Sequence, residues 1–103
     1  MRLERSKIKV SSISVDELVD LCGKAEDAAR KFILSRVPRR KVINLIISVN
    51  AERNEKGEMT FDVDVEVQLS STMRGFDIKR LVRDAVDESF RVIGNYLEKD
   101  SEG

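Results

Sequence analysis

Residues 60–69, "TFDVDVEVQL", alternate without a break. Phe61, Val63, Val65, Val67 and Leu69 fall on one side of an extended chain, and Asp62, Asp64 and Glu66 on the other. Successive side chains of a strand point to opposite faces, so this stretch reads as a strand with one apolar and one acidic face. Such a strand belongs in an antiparallel sheet that is covered on one side and wet on the other.

The rest of the chain can be placed around it. "KVINLIISVN" sets Ile43, Leu45, Ile47 and Val49 on one face and reads as a second strand. "AERNEKGE", polar and containing Gly57, reads as a hairpin loop longer than the tightest turns. "KIKVS", residues 7–11, fits a short first strand. A helix begins after Ser14, which forms a capping box with Glu17 and is flanked by Ile13 and Leu18 as a hydrophobic staple. Leu18, Leu21, Cys22, Ala25, Ala28, Ala29, Phe32 and Ile33 then share one side at helical spacing. Asp20–Lys24, Glu26–Arg30 and Asp27–Lys31 are i,i+4 pairs with the acid first, the favourable order. Pro38 stops the helix near Ser35 or Arg36. After "SSTMRG", Asp77 caps a second helix, with Phe76 and Leu81 as its staple, and this helix reaches about Leu97.

The order (β)-α-β-β-α implies an α+β two-layer sandwich, with two helices on one face of a small antiparallel sheet. The reading gives one domain over residues 1–98 and a frayed tail at 99–103. A chain of 103 residues can bury a single core without staples.

Composition narrows the setting. The one cysteine, Cys22, permits no internal disulfide and fits a reducing compartment. "MRLERSKIKV" is basic but lacks the apolar stretch of a signal peptide, and the apolar run "VINLIISV" is far too short to span a membrane. The expected location is cytoplasmic. Charged residues make up 37% of the chain, against about 25% in average domains, and glutamine, cysteine and proline occur once each. That balance is expected of a protein from a thermophile. Lys plus Arg equals Asp plus Glu at 19 each, so nucleic acid or an anionic membrane would have to be attracted by a local patch.

Each candidate chemistry can be tested against the residues. Alternate carboxylates on a strand face lie about 6.5–7 Å apart, a spacing suited to an acid/base pair or a bridging divalent ion. Both uses need a concave, partly dry site, which an open sheet face does not offer. The acidic row is better explained as a solvated face that favours a basic neighbour strand carrying Lys7 and Lys9. The chain has no histidine, and no CxxC, Walker A, GxGxxG or HExxH pattern. Cys22 lies in the apolar stripe of helix one, where a buried, inert thiol is expected. No catalytic residue, metal ligand or cofactor site is assigned, and catalysis by this chain alone is not expected.

Two surfaces suggest binding. Arg36, Arg39, Arg40 and Lys41 form a basic patch after helix one, suited to the negative end of the helix dipole or to phosphate and RNA contact. Against RNA, no GxxG loop is present and no aromatic lies on the polar strand faces. On helix two the apolar residues cover roughly 180° of the circumference, where packing on one layer needs only about 100°. Helix one can absorb part of that excess; the remainder points to a protein interface at Val82, Val86, Phe90, Ile93 and Leu97. The small residues Cys22, Gly23, Ala25, Ala28 and Ala29 would let another helix approach closely.

Three stretches, "ISVDELVDLCGKAEDAARKFILSRVP", "DVDVEVQLS" and "DIKRLVRDAVDESFRVIGNYLE", resemble a small family of uncharacterised archaeal proteins. In arrangement the chain is also similar to the small dimerising subunit of KEOPS, the complex that makes threonylcarbamoyladenosine on tRNA. That resemblance implies two helices on a three-stranded sheet that hold a catalytic subunit. It further implies a non-catalytic accessory subunit, with a protein partner or homo-oligomer through the helical layer and a tRNA contact within the complex. The other readings are a small RNA-binding module using the basic patch, and an enzyme using the acidic row.

Overall fold

A computed structural model describes residues 2–9 and 13–102, with side chains described over residues 13–97. The elements run in the order β1 (Arg2–Lys9), α1 (Val15–Arg36), β2 (Val42–Arg53), β3 (Glu58–Leu69) and α2 (Ile78–Glu102), with 3-10 turns at Arg39–Lys41 and Ser71–Met73. The three strands form one sheet in the order β1-β3-β2, and β3 is antiparallel to both neighbours. This is the expected α+β two-layer sandwich.

The alternation of β3 is realised directly. Met59, Phe61, Val63 and Val65 are at most 1% exposed, while Glu66 on the opposite face is exposed. β1 covers Arg2–Lys9 rather than 7–11; residues 10 and 11 of the expected strand lie outside the described residues. Its charged sequence "RLERSKIK" hides the period-2 signal. The register sets Arg5 opposite Asp62, Arg2 opposite Asp64 and Lys9 opposite Glu58. A basic strand therefore does lie beside the acidic row, as cross-strand charge pairing favours.

The hairpin is tighter than its composition suggests. β2 continues to Arg53, leaving Asn54–Gly57 as the loop, because the Asn54 side chain closes it. Asn54 Oδ1 accepts from the backbone N–H groups of Lys56 at 2.9 Å and Glu58 at 3.0 Å. Gly57 has φ 80°, a left-handed value that glycine adopts without steric cost.

Helix α1 starts where the capping residues indicate. Ser14 Oγ accepts from Glu17 N–H at 3.1 Å and donates to Glu17 Oε1 at 3.1 Å. Ile13 is buried, and its carbonyl accepts from Arg53 Nη2 at 2.8 Å, which ties this start to the end of β2. Leu21, Ala25, Ala29 and Ile33, four residues apart, are all fully buried, a one-sided stripe produced by the helical repeat. Asp77 Oδ1 caps α2 by accepting from Arg80 N–H at 3.0 Å. No breaker lies between Leu97 and Gly103, and α2 runs on through Glu102, past the end expected near Leu97.

The wide apolar arc of α2 is consumed by this packing. Leu81, Val82, Ala85, Val86 and Ile93 are buried, split between one cluster around Val63 and Val65 and another around Phe61 and Met59. Phe90 is partly buried and touches both clusters. Ala25 and Ala29 bring α2 close enough for buried Ser89 Oγ to donate to the Ala25 carbonyl at 2.7 Å. At the far end of the seam Tyr96 Oη donates to Glu17 Oε2 at 2.9 Å. Among the described residues, no helix is long and apolar enough to cross a membrane.

Two predictions follow from the helix pair. Gly23 is exposed, and a Cβ built there meets nothing within 4 Å. Gly23→Ala should raise stability by about 0.4–1 kcal/mol, whereas Ala29→Leu, in the filled seam, should lower it by about 1–3 kcal/mol. Urea denaturation of both variants checks the contrast. The Tyr96 hydroxyl, and then Ser14, hold the Glu17 carboxyl below its usual range. A carboxylate depressed in the folded state contributes stability above its unfolded pKa and loses it as pH falls through the folded value. Tyr96→Phe should move the Glu17 titration upward, read by NMR of its side-chain carboxyl, and flatten the acid limb of the stability curve.

Candidate functional site

The interface expected at Val82, Val86, Phe90, Ile93 and Leu97 is not a surface of this fold. Val82 and Ile93 are fully buried and Val86 is 1% exposed. Phe90 and Leu97 are partly buried against the core. The excess apolar width of α2 serves α1 and the sheet together. The run of small residues divides in the same way. Ala25 and Ala29 meet α2, while Gly23 faces outward with nothing against it.

What the helical layer presents to solvent is the groove along its seam. One cleft of about 290 Å³ is bounded by Phe32 and Arg36 of α1 and by Phe76, Arg80 and Asp84 across from them. A second, of about 450 Å³, is bounded by Lys24, Ala28 and Phe32 of α1 and by Glu88 and Arg91 of α2. The two meet at Phe32, a half-buried aromatic whose ring carries the Arg36 guanidinium 4.8 Å above its centroid. Charges of both signs line the clefts, Arg36, Arg80 and Asp84 in the first and Lys24, Asp27, Lys31, Glu88 and Arg91 in the second. Arg30 pairs with Glu26 at 2.9 Å and Asp27 at 3.1 Å, and Arg91 pairs with Glu88 at 2.9 Å. Exposed pairs of this kind contribute little to stability.

Of the basic residues after helix one, Arg36, Arg39 and Arg40 are exposed and Lys41 is partly buried. Arg39, Arg40 and Lys41 occupy the 3-10 turn that follows Pro38. Lys41 Nζ donates to Thr72 Oγ1 at 2.7 Å, and the Lys41 carbonyl accepts from Ser70 N–H at 2.8 Å. These contacts hold residues 70–72 of the loop before α2 against the turn, and Arg80 shares a cleft with Arg36. Residues 36–42 and 70–84 hold eight Lys or Arg and two Asp or Glu. The formal net charge of zero therefore includes a local excess of cations over these two stretches. Sequence reading missed this union because the two basic stretches are about 30 residues apart in the chain. The hydrogen bonds of Lys41 bring them together.

Among the described residues, no three His, Cys, Asp or Glu side chains are grouped to hold a metal ion. Cys22 is half-buried, and desolvation pushes its thiol up, away from the reactive thiolate. Apolar side chains that reach solvent are elsewhere. Val15 and Val19 on α1 are 75% and 68% exposed, and Ile43 and Ile46 on β2 are 62% and 50% exposed. Val15, Val19 and Ile46 lie outside the apolar faces read from the sequence, whereas Ile43, placed by its alternation on the inward face with Leu45, Ile47 and Val49, is instead exposed, at the register shift between Val42 and Asn44.

Comparison with known proteins agrees with this architecture. A crystal structure from Thermococcus onnurineus NA1 superposes with a TM-score of 0.72 at 16% identity, over 96% of this chain and 93% of that one. The solution structure of the hypothetical protein mth677 from Methanothermobacter thermautotrophicus superposes with a TM-score of 0.63 at 20% identity, over 89% of this chain and 97% of that one. Both are similar in fold. No curated protein matches the chain. A profile of the family described as protein of unknown function (DUF3194) matches residues 10–96, and the chain belongs to that family.

Proposed function

We propose that this chain is a non-catalytic protein–protein interaction subunit, and specifically an accessory subunit of a KEOPS-like complex that makes threonylcarbamoyladenosine on tRNA. The observation that carries the reading is the seam groove. Two helices lie side by side on a sheet, and between them runs a furrow floored by Phe32 and Ala28 and edged by charges of both signs. An amphipathic helix of a partner fits such a furrow, its apolar residues against Phe32 and its charged flanks against the rim. The two helices of the KEOPS subunit that the chain resembles hold their partner, and the helical layer here offers a comparable face. The site for a partner lies in the groove rather than on the buried side chains of α2.

A second reading is favoured by one observation, the basic end. Its eight cations could contact tRNA directly, within such a complex or without it, with Arg36, Arg39, Arg40 and Lys41 joined by Arg74 and Arg80. Phosphate contacts of this kind weaken steeply with added salt.

Affinity purification of the tagged chain from its native extract tests the first reading. KEOPS subunits should be retained in stoichiometric amount and lost in Ala28→Arg, which fills the groove from a half-buried position on its floor. Retention of unrelated proteins alone, or no loss in the variant, contradicts it. Gel shift of tRNA by the isolated chain tests the second reading. Binding that falls with salt and disappears in Arg39→Glu/Arg40→Glu supports it, and binding unchanged in that variant contradicts it.

A further inference from the structure

Contact of the basic end with RNA accounts for phosphates and leaves the bases without a partner. Phosphate contacts position a nucleic acid, whereas unpaired bases are held by stacking on rings and guanidinium planes. Aromatic side chains are scarce in this chain, with four phenylalanines and one tyrosine. Phe61 is buried, and Phe90 packs against both core clusters. The other two, Phe32 and Phe76, border one cleft of about 290 Å³, together with Arg36 at the head of the basic stretch. Phe76 is 36% exposed.

The two walls of this cleft differ in charge. On the α1 side the Arg36 guanidinium lies over the Phe32 ring, 4.8 Å from its centroid, a contact that holds the cation without neutralising it. Beyond Pro38, Arg39 and Arg40 are exposed. Among the described residues, none of these three arginines is held in an ion pair. On the α2 side the charges are already engaged. Asp77 Oδ1 accepts from Arg80 N–H at 3.0 Å, and Asp84 lies 3.9 Å from Arg80 Nε. Ligand sites usually enclose about 300–1,000 Å³, so a cleft of this size admits one ring system and no more. A repeating polyanion with a flat group on every unit matches the exposed ring, the guanidinium and the unpaired cations together. An acidic peptide matches the cations alone.

We propose that this cleft takes one unpaired base of a single-stranded RNA, stacked on Phe76 and on the Arg36 guanidinium, with the flanking phosphates on Arg39 and Arg40. A base reaches such a slot only when it is splayed out of a single strand, because a duplex keeps its bases stacked inside. The stacking rests on the reading of the basic end as an RNA contact and adds to it the need for an unpaired nucleotide. The partner helix of the first reading is tested at Ala28, which borders the other cleft.

Fluorescence anisotropy with a short labelled single-stranded RNA, and with a blunt RNA duplex carrying the same number of phosphates, tests the site. The wild type should bind the single strand more tightly. Phe76→Leu keeps an apolar side chain beside Leu81 but removes the ring, and Arg36→Lys keeps the charge but removes the plane. Each should weaken single-strand binding about five- to hundredfold, the loss expected of one stacked base. Each should leave the duplex affinity and the salt dependence unchanged. Arg39→Glu/Arg40→Glu should weaken both RNAs and flatten the salt dependence. Arg36 is exposed, so Arg36→Lys remains informative if Phe76→Leu proves unstable on thermal denaturation. Equal binding of the two RNAs, unaffected by Phe76→Leu and Arg36→Lys but lost in Arg39→Glu/Arg40→Glu, overturns the stacking and leaves the RNA contact standing. No binding of either RNA at low salt overturns both. A protein partner released by Phe76→Leu, with RNA affinity unchanged, makes the cleft a peptide site and also overturns the proposal.

Discussion

Both layers of this protein rest on the odd-numbered face of β3. Met59, Phe61, Val63 and Val65 form a floor almost closed to water and share their two buried clusters with residues of α1 and α2. The even-numbered face cannot take a helix without burying Asp62, Asp64 and Glu66, and charges removed from water without compensation are costly. The same alternation therefore places the helices, leaves the opposite face wet and favours a basic strand at β1. Burial of the apolar face supplies the main driving force, and the carboxylates fix its direction.

Helix packing then determines which surfaces remain for binding. With Ala25 and Ala29 facing it, α2 settles so close to α1 that its broad apolar arc is spent on two neighbours at once. What is left over is specific. A groove runs along the outer seam, a basic end is gathered by the contacts of Lys41, and one sheet edge lacks charge.

Much of this was legible in the amino-acid order. The alternation of β3, the Ser14 and Asp77 caps and the stop before Pro38 locate the main elements, because each reports a local backbone requirement. Three features were not legible, for separate reasons. The charges of β1 mask its period, and its place beside β3 is set by pairing rather than by its own pattern. The buried state of Val82, Val86 and Ile93 depends on how many neighbours α2 has, which its apolar arc cannot count. The basic end unites stretches distant in the chain, so it exists only once residues 41 and 70–72 have met. Local signals carried the fold, and the candidate binding surfaces are nonlocal.

The central claim is that β3 is the hub on which both helices and both neighbouring strands depend. Native-state amide exchange under increasing denaturant measures this directly, since it separates local opening from global unfolding residue by residue. The amides of β3 from Met59 to Val67 should exchange only through global unfolding and rank among the slowest in the chain. Exchange of those amides through a smaller opening, while α1 and α2 remain protected together, would show that the helix pair is the hub and would contradict this account.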